Sequence, residues 1–199
     1  MQTFATTAPI AALLDIPAGR VQFIASDRAD AAVEVLPVDA SKSRDVKAAE
    51  KVSVAFADGV LRIEADSGGK LLGSSGSVEI TVQLPAGSRV EAKAASAEFR
   101  GVGRLGDIAF EAAQSDIKID EAAHVRLSTQ AGDVTIGRLT GSAEITTLKG
   151  HITVATDRSA SLDAGTTYGR ITNSLRNDGT DVLSIRATTS YGDITARSL

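Results

Sequence analysis

From about residue 90 onward, a small residue and a polar one repeatedly precede two apolar residues spaced by one. Six copies read Ala97-Glu98-Phe99, Ser115-Asp116-Ile117-Lys118-Ile119, Gly132-Asp133-Val134-Thr135-Ile136, Gly150-His151-Ile152-Thr153-Val154, Gly169-Arg170-Ile171 and Gly192-Asp193-Ile194. The intervals between the small residues are 18, 17, 18, 19 and 23. Period-two alternation inside each copy predicts a strand with one apolar face. The longer beat predicts stacked coils, because no single coil can bury that face without another above or below it.

Each copy has a second half. Val90/Ala92, Ile108/Phe110, Val125/Leu127, Ala143/Ile145, Leu162/Ala164 and Ile185/Ala187 lie seven and five positions before the small residues. Their spacing puts both side chains of a pair on one strand face. Large and small residues are mixed within pairs, as close packing between successive layers requires. Gly132, Gly150, Gly169 and Gly192 then fall at corners between two strands. The pattern predicts an all-β, single-stranded β-solenoid, β-helix-like, of about six rungs. At roughly 4.8 Å per layer it would stand about 25–30 Å tall.

Residues 1–88 lack the beat and are read as an N-terminal cap of β-hairpin and strands, with residues 89–199 forming the solenoid in one continuous unit. Val52–Ala57 and Val60–Glu64 flank Asp58-Gly59, a strong two-residue hairpin signal that pairs Val54 with Ile63 and Phe56 with Leu61. Leu14-Asp-Ile-Pro-Ala-Gly-Arg-Val21 echoes Val82-Gln-Leu-Pro-Ala-Gly-Ser-Arg-Val90, each Pro-Ala-Gly joining two strands. Residues 39–51 read as a loop or one short helix, and the Gly/Ser-rich stretch 67–77 as a mobile loop. At the other end, Ile194 and Ala196 complete the last rung, and no further repeat follows to cover it. An uncovered coil presents unpaired backbone to another chain, so a homodimer or a protein partner could use that edge. Arg186, Asp193 and Arg197 border it. Tyr168 and Tyr191 share one slot before the corner glycine and are expected to stack there.

Composition sharpens this picture. Aromatics are only 4% and Trp is absent, so the core must be aliphatic. The net charge of −4 with dispersed Lys and Arg gives no nucleic-acid footprint. Without cysteine, disulfides and thiolate metal sites are excluded. No apolar run reaches the ~18 residues that span a bilayer. Met1–Leu14 carries no basic residue ahead of its apolar stretch, so it reads as a first strand, and the chain is expected in the cytoplasm.

Little reactive chemistry stands out. Glu98, Asp116 and Asp133 follow the small residues in successive copies and could form a column able to hold calcium, although solvated turn residues bonding the local backbone would look the same. His124 and His151 lie too far apart along the repeat to share a metal. No Gly-x-Ser-x-Gly elbow is present. The stretch Gly68–Gly76 lacks the residue order of a phosphate loop. No cofactor is expected.

The Leu-Pro-Ala-Gly-Ser lead-in at 84–88, the phrase Gly-Asp-Ile/Val-Thr at 132–135 and 192–195, and the closing Thr-Ser-Tyr-Gly-Asp-Ile-Thr-Ala-Arg at 189–197 resemble the DUF4097 family. These are bacterial β-strand-repeat proteins with an adhesin-like label, and the closest likeness is to the short actinobacterial type. The resemblance implies a β-solenoid with no catalytic residues to carry over. The resulting expectation is a non-enzymatic interaction or scaffold module. The alternatives are a carbohydrate-binding or carbohydrate-processing β-helix and a ligand sensor using the loop at 67–77.

Overall fold

The computed structural model describes residues 1–65 and 76–199; among them a single helix, Ser43–Glu50, accompanies seventeen strands. The strands form one continuous sheet folded into two facing halves, called the first and second sheet, and each coil contributes to both. On the first sheet, Val90, Ile108, Val125, Ala143, Ile185 and Leu162 are register partners in that order, all parallel. On the second, the file runs Phe99, Ile117, Val134, Ile152, Ile194, Ile171. The inner residues of both files fill one core, with Ile108, Ile117, Leu127, Val134, Ile145 and Ile152 all buried. Phe23, Phe99 and Phe110 stack through it, with ring centroids 5.6 and 4.8 Å apart.

The corner glycines are there because coils approach closely. Gly132, Gly150 and Gly192 hold φ of 128°, 150° and 150°. A Cβ at Gly150 would lie 2.0 Å from the carbonyl oxygen of Gly132 in the coil beneath. Such backbone contact tolerates only glycine.

The N-terminal part supplies coils as well as a cap. Strand Ala11–Ser26 spans both sheets, its Ala12 and Leu14 pairing with Val90 and Ala92, its Val21 with Phe99. Gly19 is its corner, seven and five positions after Ala12 and Leu14, so this coil repeats the offsets of the others. A further coil is split between Val60–Ala65 and Val78–Pro85, whose Leu61, Ile63 and Ile80 pair with Ala12, Leu14 and Val21. Beyond it, the predicted hairpin pairs Val54 with Ile63 and Phe56 with Leu61, and Asp58 (φ 52°) and Gly59 (φ 73°) make its turn. Strands Asp30–Pro37 and Gln2–Ala5 add antiparallel layers on the second sheet. Helix Ser43–Glu50 sits beside them, and buried Asp45 accepts the Ser77 N–H at 3.0 Å. The Gly/Ser-rich stretch 67–77 lies outside the described residues except for its last two.

Coil order departs from chain order at both ends. From end to end the coils run 60–85, 11–26, 89–105, 108–122, 125–139, 143–156, 183–198, 160–174. The chain passes over one layer at 157–159, builds the outermost coil, and returns through 175–182 to fill the gap. The expectation that coil 183–198 is the uncovered end therefore does not hold. Its Ile185, Ala187, Ile194 and Ala196 are buried, covered on one side by coil 143–156 and on the other by coil 160–174. A more apolar coil gains more from two covered sides than from one.

Candidate functional site

The residues after each small residue do form a column, but a backbone ladder occupies it. Asp116 Oδ1 accepts the Asp133 N–H at 3.0 Å, and Asp133 Oδ1 accepts the His151 N–H at 2.7 Å. His151 Nδ1 accepts the Asp193 N–H at 3.0 Å, and Asp193 Oδ1 accepts the Arg170 N–H at 2.8 Å. Each side chain thus ties its coil to the next. Glu98 stands apart, 3.6 Å from Arg20. Asp116 and Asp133 thus each give one oxygen to the next coil's backbone, while Glu98 faces Arg20. Among the described residues no cluster of three or more His, Asp or Glu is placed to hold a metal. The two histidines sit at opposite corners, and His124 Nδ1 accepts the Ser142 N–H at 3.0 Å, the same acceptor role.

A second file escaped the sequence reading. Thr129, Thr147, Thr166 and Thr189 lie three positions before the corner glycines and point inward. Their hydroxyls donate to Ala131 O (3.0 Å), Lys149 O (3.4 Å), Gly192 O (3.0 Å) and Gly150 O (3.2 Å). The constant offset was the available signal. Threonine is read by default as a surface strand residue, and here the hydroxyl is satisfied at a corner carbonyl.

The open end is where polar and apolar groups meet without a cover. Strand Ile171–Ser174 is exposed along its length, and Ile171, in line with the core file, remains 43% accessible. Leu162, Ala164 and Leu175 are only half-buried against the core. Tyr168 and Tyr191 stack at 4.9 Å with their rings 9° apart, and both are exposed. Arg186, on the outer face of the covered coil, pairs with Asp163 of the end coil at 3.2 Å. Asp193 is committed to the ladder, and Arg197 is an exposed residue beside Ser174. The predicted contact residues therefore lie near this end, with Tyr168 in the end coil and Arg186, Tyr191, Asp193 and Arg197 in the covered coil beside it.

Loop 175–182 closes the coil. Its Asp178 carboxyl is held at about 2, first by the Ser159 hydroxyl and then by the backbone N–H and hydroxyl of Thr180. Nearby, Arg138 donates to Asp157 at 2.5 Å and lowers its carboxyl below the ordinary range. A shallow groove of about 410 Å³ on the first sheet is bordered by Arg89, Asp107, His124, Arg126, Glu144 and Arg186. Arg126 is there paired to Glu144 at 3.2 Å, and His124 to Ser142. Ion pairs between layers engage Arg126 and Arg186, and Arg89 pairs with Glu91 of its own strand.

Residues 104–198 match a protein family described as Toastrack DUF4097. No curated protein matches the sequence. Among solved structures, a "putative cell adhesion protein" from Clostridium sporogenes ATCC 15579 superposes with a TM-score of 0.54 at 13% identity, over 100% of this chain and 98% of that one. A "putative adhesin" from Bacteroides fragilis NCTC 9343 gives 0.47 at 12%, over 100% and 95%. The first likeness shows a shared fold. No helix is long and apolar enough to cross a membrane among the described residues. Corner repeat and parallel files agree on a β-solenoid, and residues 104–198 of it match the Toastrack DUF4097 family.

Proposed function

We propose that the chain is a non-enzymatic interaction module, and that its contact element is the edge of coil 160–174, completed by an extended strand of another protein. One observation carries this reading. Among the described residues, Ala160–Tyr168 and Ile171–Ser174 each have a strand neighbour on one side only, while every other coil is paired on both sides. A free parallel edge offers a row of N–H and C=O groups at fixed spacing. Main-chain hydrogen bonds to an added strand supply affinity, and adjoining side chains supply selectivity. Ile171, Leu162 and the stacked Tyr168 and Tyr191 are the apolar ground beside that edge. The solved relative described in terms of cell adhesion supports an interaction role.

Capture from native cell extract tests the proposal. Wild type should retain a protein that a variant carrying Ile171→Lys, Tyr168→Ser and Tyr191→Ser does not, with circular dichroism showing both equally folded. The same proteins retained by both would exclude the edge as the contact element.

A further inference from the structure

The second-sheet core file runs through Val82, Phe23, Gly101, Ile119, Ile136, Val154, Ala196 and Asn173, each the register partner of the next. Seven of the eight are apolar or glycine. Asn173, the exception, lies in the outermost coil, where its side chain is exposed and its Oδ1 accepts the Leu175 N–H at 3.0 Å. Had the coils stacked in chain order, Asn173 would lie between Val154 and Ala196, covered on both sides. An amide brings two donors and two acceptor sites, and an aliphatic file supplies no partner for them. The chain instead passes over that layer, fills it with Ala196, and returns by way of loop 175–182.

We infer that Asn173 decides which coil ends the solenoid, and that it denies the end to a second copy of this chain. The first half follows from register alone. An outermost coil keeps one side in water, so the polar member of the file belongs there. The second half rests on the reading of the edge as a contact element: an apolar coil laid on this end would strip water from Asn173 without replacing its bonds. A partner strand that places a hydrogen-bonding side chain opposite Asn173 would not. The other end of the stack presents the antiparallel edge strands Val52–Ala57 and Gln2–Ala5, so a parallel coil edge is offered only at the Asn173 end, where two copies would meet like against like.

The chain has no cysteine, so coil order can be read by engineered disulfides. Thr153 is the register partner of Thr195, which in turn partners Thr172. Thr153→Cys with Thr195→Cys reports adjacency in the observed order. Thr153→Cys with Thr172→Cys reports chain order, since these positions are now two layers, about 10 Å, apart, beyond disulfide reach. With Asn173 in place only the first pair should close. Exchanging the file residues, Asn173→Ala with Ala196→Asn, should close the second pair and leave the first open. If the exchanged chain does not fold, Asn173→Val alone should close both. Closure of the first pair only, in whichever of these variants folds, overturns the assignment of coil order. Sedimentation velocity reads the second half: wild type should be monomeric and Asn173→Val dimeric at equal concentration. A dimeric wild type or a monomeric Asn173→Val overturns it, whereas loss of partner capture by the edge variants bears only on the contact element.

Discussion

The two ends of the stack are built on opposite plans. At one, the coil 60–85 is overlaid by the hairpin strand Val52–Ala57 on the first sheet and by Asp30–Pro37 and Gln2–Ala5 on the second, with a helix alongside. Leu61, Ile63, Ile80 and Val82 there are fully buried. At the other, the coil 160–174 has no strand above it among the described residues, and its file residues Leu162 and Ile171 are half-buried or exposed. Antiparallel strands can be added to a parallel stack by tight turns, and here they replace its parallel edge with the antiparallel edges of Val52–Ala57 and Gln2–Ala5. One end has its core covered by added strands, and the other leaves its file residues half-buried or exposed. Both use the same threading device, in which a later or earlier segment is inserted one layer in, so neither coil 11–26 nor coil 183–198 is left at a surface.

Aspartate substitution along one kind of file sharpens the contrast most. Ile63→Asp at the capped end, or Ile152→Asp in the middle, buries a carboxylate without a partner at sites that are fully enclosed. Either should unfold the domain, since the cost exceeds a stability of ~5–15 kcal/mol or takes most of it. Ile171→Asp at the open end keeps its charge in water and should cost about 1–2 kcal/mol. Thr153→Asp, next to Ile152 but facing outward, should cost under ~0.5 kcal/mol. Thermal melts order these four. Equal losses at Ile152 and Ile171, or at Ile152 and Thr153, would break the comparison.

Next in size is the corner. Gly150→Ala places a Cβ against the Gly132 carbonyl at a left-handed φ, with an expected loss of at least ~2–3 kcal/mol by urea denaturation. Gly179→Ala, in loop 175–182 at φ 81° with open space around it, carries only the backbone strain and should cost about 1 kcal/mol. Matching losses would argue against close coil contact at the corner.

How much of this was legible follows from what a pattern encodes. The alternation around Ile117, Val134 and Ile152 states which side chains face inward, and the structure places them in one file. Alternation does not state which coil lies next to which. The sole local hint at the open end is polar Asn173 in an apolar slot. Coil 11–26 carries the repeat's offsets at Ala12, Leu14 and Gly19, yet no copy follows at the right interval, because the next segment goes to the cap. Coil 60–85 is interrupted by an insertion between its two strands, which separates Leu61 and Ile63 from Ile80 and Val82 by more than the repeat's offset. The acid column was visible as spacing. Its chemistry was not, since a carboxylate that binds the next coil's N–H and one that binds a cation occupy the same position in a sequence.

Acid gives a smaller effect, and it touches both ends. Asp39, near the cap helix, is held at about 2 by the Ser41 hydroxyl, then by Lys42 and the Ser41 backbone. Asp178 at the open end is held at about 2 by Ser159 and Thr180. Both carboxyls lie below their unfolded value near ~3.9. Their contribution is therefore complete above about pH 4–5 and fades as pH falls toward 2. Melting temperature should decline as pH falls below 4, with Asp39→Asn and Asp178→Asn each flattening that decline. An unchanged slope in both variants would contradict these assignments.

The stack order itself is most directly read by amide hydrogen exchange resolved to peptides. With coil 183–198 enclosed between two layers and coil 160–174 outermost, amides of Ile185–Thr189 and Ile194–Ala196 should exchange slowly, and those of Ile171–Ser174 should be among the fastest strand amides. Slow exchange across 160–174 together with fast exchange across 183–198 would restore chain order and contradict the account.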